Sequence, residues 1–284
     1  MAMRPKTLPA AIVPVIMGTA MAYGDGVHHF LSAAAAFIGA LLIQVNTNFV
    51  NDYADFMKGT DDGERIGPLR VTQAGFVTPK QMIRAIIITI SLSVLVGLYL
   101  VYRGGWPVLV IGGLSILCGI LYTAGPFPLG YHGLGDIFVL FFFGPVALAG
   151  TYYVQALTVN WIVILAGFAP GLFSVAILTV NNLRDYDGDK KSNKKTLAVR
   201  FGRTFARFEY LISLLVASLI AVAIPVFMGK HSMLWIAGVT FLVSIPVLRT
   251  IFKETRGPEL NHALALTGKL LLIYGILFSI GWNV

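Results

Sequence analysis

The chain has 284 residues, of which 57% are hydrophobic and 12% charged, with a mean hydropathy of +0.79. Soluble domains carry about 25% charged residues, so this composition excludes a soluble enzyme and points to an all-α polytopic membrane protein. The net charge of +8 is read below as a matter of topology, with no nucleic-acid partner implied.

A membrane span needs about 20 apolar residues. Apolar runs lie near 8–23, 30–50, 82–102, 106–123, 134–153, 159–180, 208–228, 232–250 and 264–283. These predict about nine transmembrane helices and one integral-membrane domain over residues 1–284, with no length left for a soluble one. The first run, preceded by Arg4 and Lys6 and ending in Ala20-Met21-Ala22, has features of a secretory signal. Pro9 and Pro14 interrupt its core and eight further spans follow, so a retained first helix is expected. Cys118, the one cysteine, falls inside the fourth run and reads as an inert buried thiol.

With the N-terminus placed in the cytoplasm, every Lys and Arg lies in an inside segment except Arg103, Lys230 and Lys269. This bias predicts an inside N-terminus and an outside C-terminus in the cell membrane. The loop after the sixth span is basic enough to attract anionic lipid or an anionic substrate as well.

Two spans finish alike. Gln44, Asn48, Asp52 and Asp55 follow one another at steps of helical spacing, and so do Asn181, Asp185 and Asp189. Four crossings separate the two stripes, which returns both to the same side. The shared Asn-x-x-x-Asp spacing suggests two related helical halves. The loop over residues 51–81 contains Gly59, Gly63, Gly67, Pro68, Gly75 and Pro79 beside the apolar Ile66, Leu69, Val71 and Phe76. An ordered cap with a short helix is expected there.

Carboxylates at the ends of membrane spans are costly unless they bind something positive. Hard carboxylate oxygens on two helices, with basic residues just beyond, suit a Mg²⁺-bridged polyphosphate. The stripes hold no His or Cys for a transition metal, and their helical spacing is not that of an EF-hand. A transporter is the rival from another class. It would place charge near the midplane, whereas both clusters here lie at helix ends.

The segments 48–55 and 181–189 resemble the two aspartate-rich motifs of the UbiA superfamily of intramembrane aromatic prenyltransferases. Finer matches are similar to the branch that prenylates 1,4-dihydroxy-2-naphthoate in menaquinone synthesis: Arg4-Pro5-Lys6-Thr7-Leu8-Pro9-Ala10, Lys58-Gly59-Thr60-Asp61, Arg65-Ile66-Gly67-Pro68-Leu69-Arg70, Leu134-Gly135-Asp136 and Lys195-Thr196-Leu197-Ala198-Val199-Arg200-Phe201-Gly202. There are departures. Many members have a further Asp where this chain has Gly59, with Asp61 and Asp62 coming later. Members acting on 4-hydroxybenzoate typically carry a lysine in the loop after the fourth span, and 122–130 has no basic residue.

The resemblance implies a UbiA-type helical bundle. It implies Mg²⁺ held by Asp52, Asp55, Asp185 and Asp189, a polyprenyl diphosphate as donor and 1,4-dihydroxy-2-naphthoate as acceptor. Loss of diphosphate and CO₂ would give demethylmenaquinol, with another aromatic acceptor as the alternative inside the superfamily. Asn48 and Asn181 would orient the ligands. Arg4, Lys6, Arg70 and Arg184 would meet the remaining phosphate charge. Tyr122, at the predicted cytoplasmic end of the fourth span, is the aromatic expected beside the reacting carbon; Phe138, Phe141, Phe142, Phe143, Tyr152 and Tyr153 are further candidates to shelter a cation. Asp136 is expected either to stabilise the start of its helix or to take part in acceptor binding.

Overall fold

The structure, a computed structural model, describes residues 2–59, 70–254 and 257–284; Asp61, Asp62 and the segment 65–69 fall outside them. Its helices are α1 (Leu8–Gly24), α2 (Phe30–Lys58), α3 (Pro79–Gly104), α4 (Trp106–Leu121), α5 (Gly135–Phe141), α6 (Ala147–Ala156), α7 (Trp161–Arg184), α8 (Tyr186–Lys191), α9 (Leu197–Met228), α10 (Trp235–Gly238), α11 (Thr240–Lys253) and α12 (Pro258–Asn283). Among the described residues there is no strand. Eight helical segments are long and apolar enough to cross a membrane, and α4 is a shorter apolar helix, which together account for the nine expected runs.

The fifth run is one span made of pieces. Gly144 leaves helical geometry next to Pro145, so α5 and α6 are joined through a π-helical turn at Phe142–Val146. That break lies against α7, where a Cβ added at Gly171 would sit 2.3 Å from the Leu140 carbonyl oxygen. Only glycine lets the two backbones approach this closely, which is how small residues promote packing between membrane helices. A second break, at Gly202, bends α9 through a φ of 89°.

α7 is the hub of the bundle, with 72% of its most apolar window buried against 11% for α3. It packs on α9, α12, α5, α6 and α1. Phe173 of α7 tilts onto Tyr274 of α12 with ring centroids 5.0 Å apart. The buried phenols of this core are satisfied: Tyr210 pairs with Thr267 at 2.9 Å, and Tyr274 donates to the Ala217 carbonyl at 3.1 Å. The peripheral helices α3 and α4 turn residues such as Leu95, Leu98, Leu109 and Leu114 outward, the apolar exterior that a lipid bilayer requires.

Two sequence boundaries move. α2 continues to Lys58 and ends at Gly59, so the first acidic stripe stands wholly on a helix, and the loop expected from residue 51 begins later. α7 ends at Arg184, so Asp185 and Asp189 do not share one helix. Their step of four survives all the same, because the Asp189 N–H donates to the Asp185 carbonyl at 2.8 Å.

Candidate active site

On α2, Gln44, Asn48, Asp52 and Asp55 are all buried, as one face of a helix requires. Asp52 accepts hydrogen bonds from the backbone N–H groups of Val71 and Thr72, both at 3.2 Å, which tie the returning loop to the helix. Asp55 is ion-paired with Arg70 and also accepts from Tyr131 Oη at 2.9 Å. Asn48 Nδ2 donates to the Met3 carbonyl at 2.9 Å, so the segment that carries Arg4 is drawn against α2.

The second stripe is organised by Arg184, which is only 4% exposed. Its guanidinium grips Asp185 with two bonds, Nε to Oδ1 at 2.8 Å and Nη2 to Oδ2 at 2.6 Å. It also donates to Asn181 Oδ1 at 2.7 Å and to Asn261 Oδ1 of α12 at 3.0 Å. A planar fork with five donors suits this arrangement better than a lysine would. Asp189, buried on α8, meets Lys194 Nζ at 3.3 Å.

Tyr131 joins the two halves. Its hydroxyl holds Asp55, and its ring lies beneath Lys58 Nζ at 4.3 Å and Lys194 Nζ at 5.7 Å from the centroid. Its carbonyl receives the Lys195 N–H at 2.9 Å. The loop between α4 and α5 is thereby wedged between the aspartate motifs, which stand at one end of the bundle. A recess of about 400 Å³ opens beside it, lined by Lys58, Tyr131, His132 and Lys195 among others.

Tyr122, immediately after α4, stands deeper. Burial pushes its hydroxyl well above the usual phenol range, Asp136, Asp189 and Asp55 add to the shift, and Arg4 opposes it. Carboxylates from both stripes therefore contribute to the electrostatic surroundings of one phenol.

The expected site residues are thus gathered, but not as one ligand set. Among the described residues, no group of three His, Cys, Asp or Glu is close enough together to hold a metal ion. Each aspartate instead faces a basic side chain or backbone amides, which is how a buried carboxylate is compensated by the protein alone. Arg70 and Arg184, expected to meet phosphate, hold Asp55 and Asp185 here. Lys6 is exposed and makes no ion pair among the described residues.

The aromatic candidates divide. Tyr152 donates to Asp25 and Tyr153 to the Gly104 carbonyl, both at the far end of the bundle, so neither can shelter a cation at the aspartates. Phe141 is 44% exposed and packs edge-on against Phe168 at the bundle surface. Phe138 and Phe142 stack on each other with centroids 6.1 Å apart. Sequence reasoning missed Tyr131, Lys194 and Asn261, since none lies in an acidic stripe.

The sequence from residue 11 to 274 matches the UbiA prenyltransferase family. The chain belongs to that family. It is 42% identical to the 1,4-dihydroxy-2-naphthoate octaprenyltransferase of Escherichia coli, over 98% of this chain and 92% of the relative. It is 37% identical to the Haemophilus influenzae protein of the same name, over 98% and 93%. A solved UbiA homologue from Archaeoglobus fulgidus, bound to GPP and Mg²⁺, superposes with a TM-score of 0.69 over the full length of both chains at 13% identity, which shows the shared fold. As a UbiA prenyltransferase, the chain has its two aspartate motifs at the same end of the bundle, bridged by Tyr131.

Proposed function

We propose that this protein transfers a polyprenyl group from an allylic diphosphate to 1,4-dihydroxy-2-naphthoate, releasing diphosphate and CO₂ and giving demethylmenaquinol. The observation that carries this reading is near-full-length similarity to octaprenyltransferases of that acceptor, in a chain whose two acidic motifs meet around Tyr131 and Tyr122.

The donor set fits a hard divalent cation: Asp52, Asp55, Asp185 and Asp189 offer carboxylate oxygens, and no thiol or imidazole competes in either motif. Bound Mg²⁺ would supply Lewis-acid stabilisation of the leaving diphosphate, worth several kcal/mol. The basic residues that now neutralise those carboxylates, Arg70, Arg184 and Lys194, become available to phosphate oxygens. Arg184 keeps its orientation through Asn181 and Asn261 while it does so. Arg4 stands within electrostatic reach of the same space.

As the allylic C–O bond breaks, its electron pair leaves with the diphosphate. The acceptor ring then forms the new C–C bond. The bond to its carboxylate carbon breaks, CO₂ departs, and the returned electron pair restores aromaticity. The basic loops flanking the motifs favour the cytoplasmic side of the cell membrane for this site, and the prenyl tail lies among the helices toward lipid.

The test is direct. Membrane-embedded protein, Mg²⁺ and a series of allylic diphosphates are incubated with a panel of aromatic acids, and the lipid product is weighed by mass spectrometry. Dihydroxynaphthoate should be prenylated with release of CO₂, while 4-hydroxybenzoate should be a poor substrate. Equal or faster conversion of 4-hydroxybenzoate overturns the acceptor assignment.

A further inference from the structure

Two further carboxylates lie outside the aspartate stripes and have no part in the function proposed above. Asp136, near the start of α5, is 6% exposed, and its Oδ1 is a buried oxygen with no hydrogen-bond partner. Glu209 sits inside the apolar α9, a position at which an ionisable side chain in a membrane protein marks function by default. Its partner among the described residues is the Thr179 hydroxyl at 3.2 Å, whose single proton is also claimed by the Val175 carbonyl at 2.9 Å. Asp136 is therefore short of donors, a costly condition for a buried acceptor unless a ligand completes it, while the half-buried Glu209 shares its one donor.

The two belong to one place. Gly135, the neighbour of Asp136, stands where a Cβ would lie 2.9 Å from Tyr122 Oη and 3.5 Å from Leu178 Cδ2, and Leu178 adjoins Thr179, the partner of Glu209. Tyr122 keeps accessible surface, and its hydroxyl has no hydrogen bond to a described residue. Thr179, which holds Glu209, precedes Asp185 by six residues on α7, or about 9 Å along a helix.

We propose that Asp136 and Glu209 form the hydroxyl-recognition site for the aromatic acceptor, accepting hydrogen bonds from its ring hydroxyls beside Tyr122. This rests on the acceptor assigned above. A site built to pair a hydroxyl discriminates strongly against an analogue that lacks it, because its polar groups are then left unpaired. Hydroxyl donors fill the vacancies on these oxygens, and the acceptor's own carboxylate must point away from them.

The experiment measures steady-state kinetics of the purified protein with Mg²⁺ and an allylic diphosphate. It also measures the dissociation constants of dihydroxynaphthoate and of 1-hydroxy-2-naphthoate, which lacks one hydroxyl. The wild-type protein should bind the dihydroxy acid at least about tenfold more tightly. In Asp136→Ala or Glu209→Gln, that ratio should fall toward one and the acceptor KM should rise about tenfold or more, with the diphosphate KM within about twofold of wild type. A merely structural role would raise both KM values together and leave the ratio intact, and that result overturns the inference. Should Asp136→Ala fail to fold, Glu209→Gln decides alone. If wild type prenylates dihydroxynaphthoate but neither variant changes the ratio, only this inference fails; if wild type does not use that acceptor, the functional assignment fails and this inference falls with it.

Discussion

Tyr131 donates its hydroxyl to Asp55 at 2.9 Å while offering its ring face to Lys194, the partner of Asp189. One phenol from the loop between α4 and α5 thus links the aspartate motif of α2 to that of α8. Tyr131→Phe keeps the ring and removes one hydrogen bond to a charged group, worth about 1.5–3 kcal/mol. Turnover should fall about tenfold or somewhat more. Tyr131→Leu also removes the face beneath both lysines and should cost more. Equal rates for the two variants would show that the ring itself contributes nothing.

The aspartates should be essential to chemistry before they matter to folding. Asp52→Asn keeps an oxygen for only one of the Val71 and Thr72 amides, which bond to different carboxylate oxygens, and loses its charge, so turnover should drop at least about a hundredfold, the scale of losing a principal electrostatic stabiliser. The amide left unpaired should lower stability in detergent by only about 1–3 kcal/mol. Chelation with EDTA should abolish activity, and Mg²⁺ should restore it; undiminished turnover in EDTA would contradict the metal-dependent reading.

Arg184 predicts the opposite balance. Removing it takes the two-bonded guanidinium from the half-buried Asp185 and strips donors from Asn181 and Asn261. Arg184→Ala should therefore destabilise the protein by about 3–5 kcal/mol, seen as a clear drop in Tm. Arg184→Lys restores charge without the fork and should recover only part of that loss.

Close packing of α7 on the broken α5–α6 span can be tested without touching the site. In Gly171→Ala the new methyl would meet the Leu140 carbonyl oxygen at 2.3 Å, and backbone cannot yield cheaply. Overpacking of this kind costs about 1–3 kcal/mol, so Tm should fall while the KM for diphosphate stays unchanged in the folded fraction.

Topology can be read by thiol labelling in a Cys118→Ser background. Cysteines at Phe76, which is 70% exposed, and at Ser192 should react with an impermeant reagent from the cytoplasmic face alone. A cysteine at the exposed Lys230 should react only from outside. Labelling of Phe76 and Ser192 from opposite faces would separate the motifs and end the shared-site mechanism.

The bundle was legible because membrane spans announce themselves by length and apolarity, and the acidic stripes because a helix brings residues four apart onto one face. What stayed hidden has physical reasons. The partnership of Arg184 with Asn261 spans 77 residues and two helices, and no local period encodes it. Tyr131 looked like loop residue among glycines and prolines; only the folding back of its loop puts it against Asp55. Tyr152 and Tyr153 were misplaced because nearness in sequence to Phe138 says nothing about depth along a span. The kink at Gly202 was equally silent, since an isolated glycine in a helical pattern is often tolerated without bending. Asp61 and Asp62 lie outside the described residues.

Both acidic motifs stand where a long helix runs out: α2 stops three residues after Asp55, and α7 stops at Arg184, leaving Asp185 as its cap. Helix C-termini carry unpaired carbonyl oxygens and the negative pole of the backbone dipole, about half an elementary charge each. The polypeptide frame therefore adds about one further unit of negative potential to the carboxylates at this end of the bundle. Neutralising a single aspartate by mutation leaves that contribution in place, so a cation should still be drawn to the site after its chemistry has been lost.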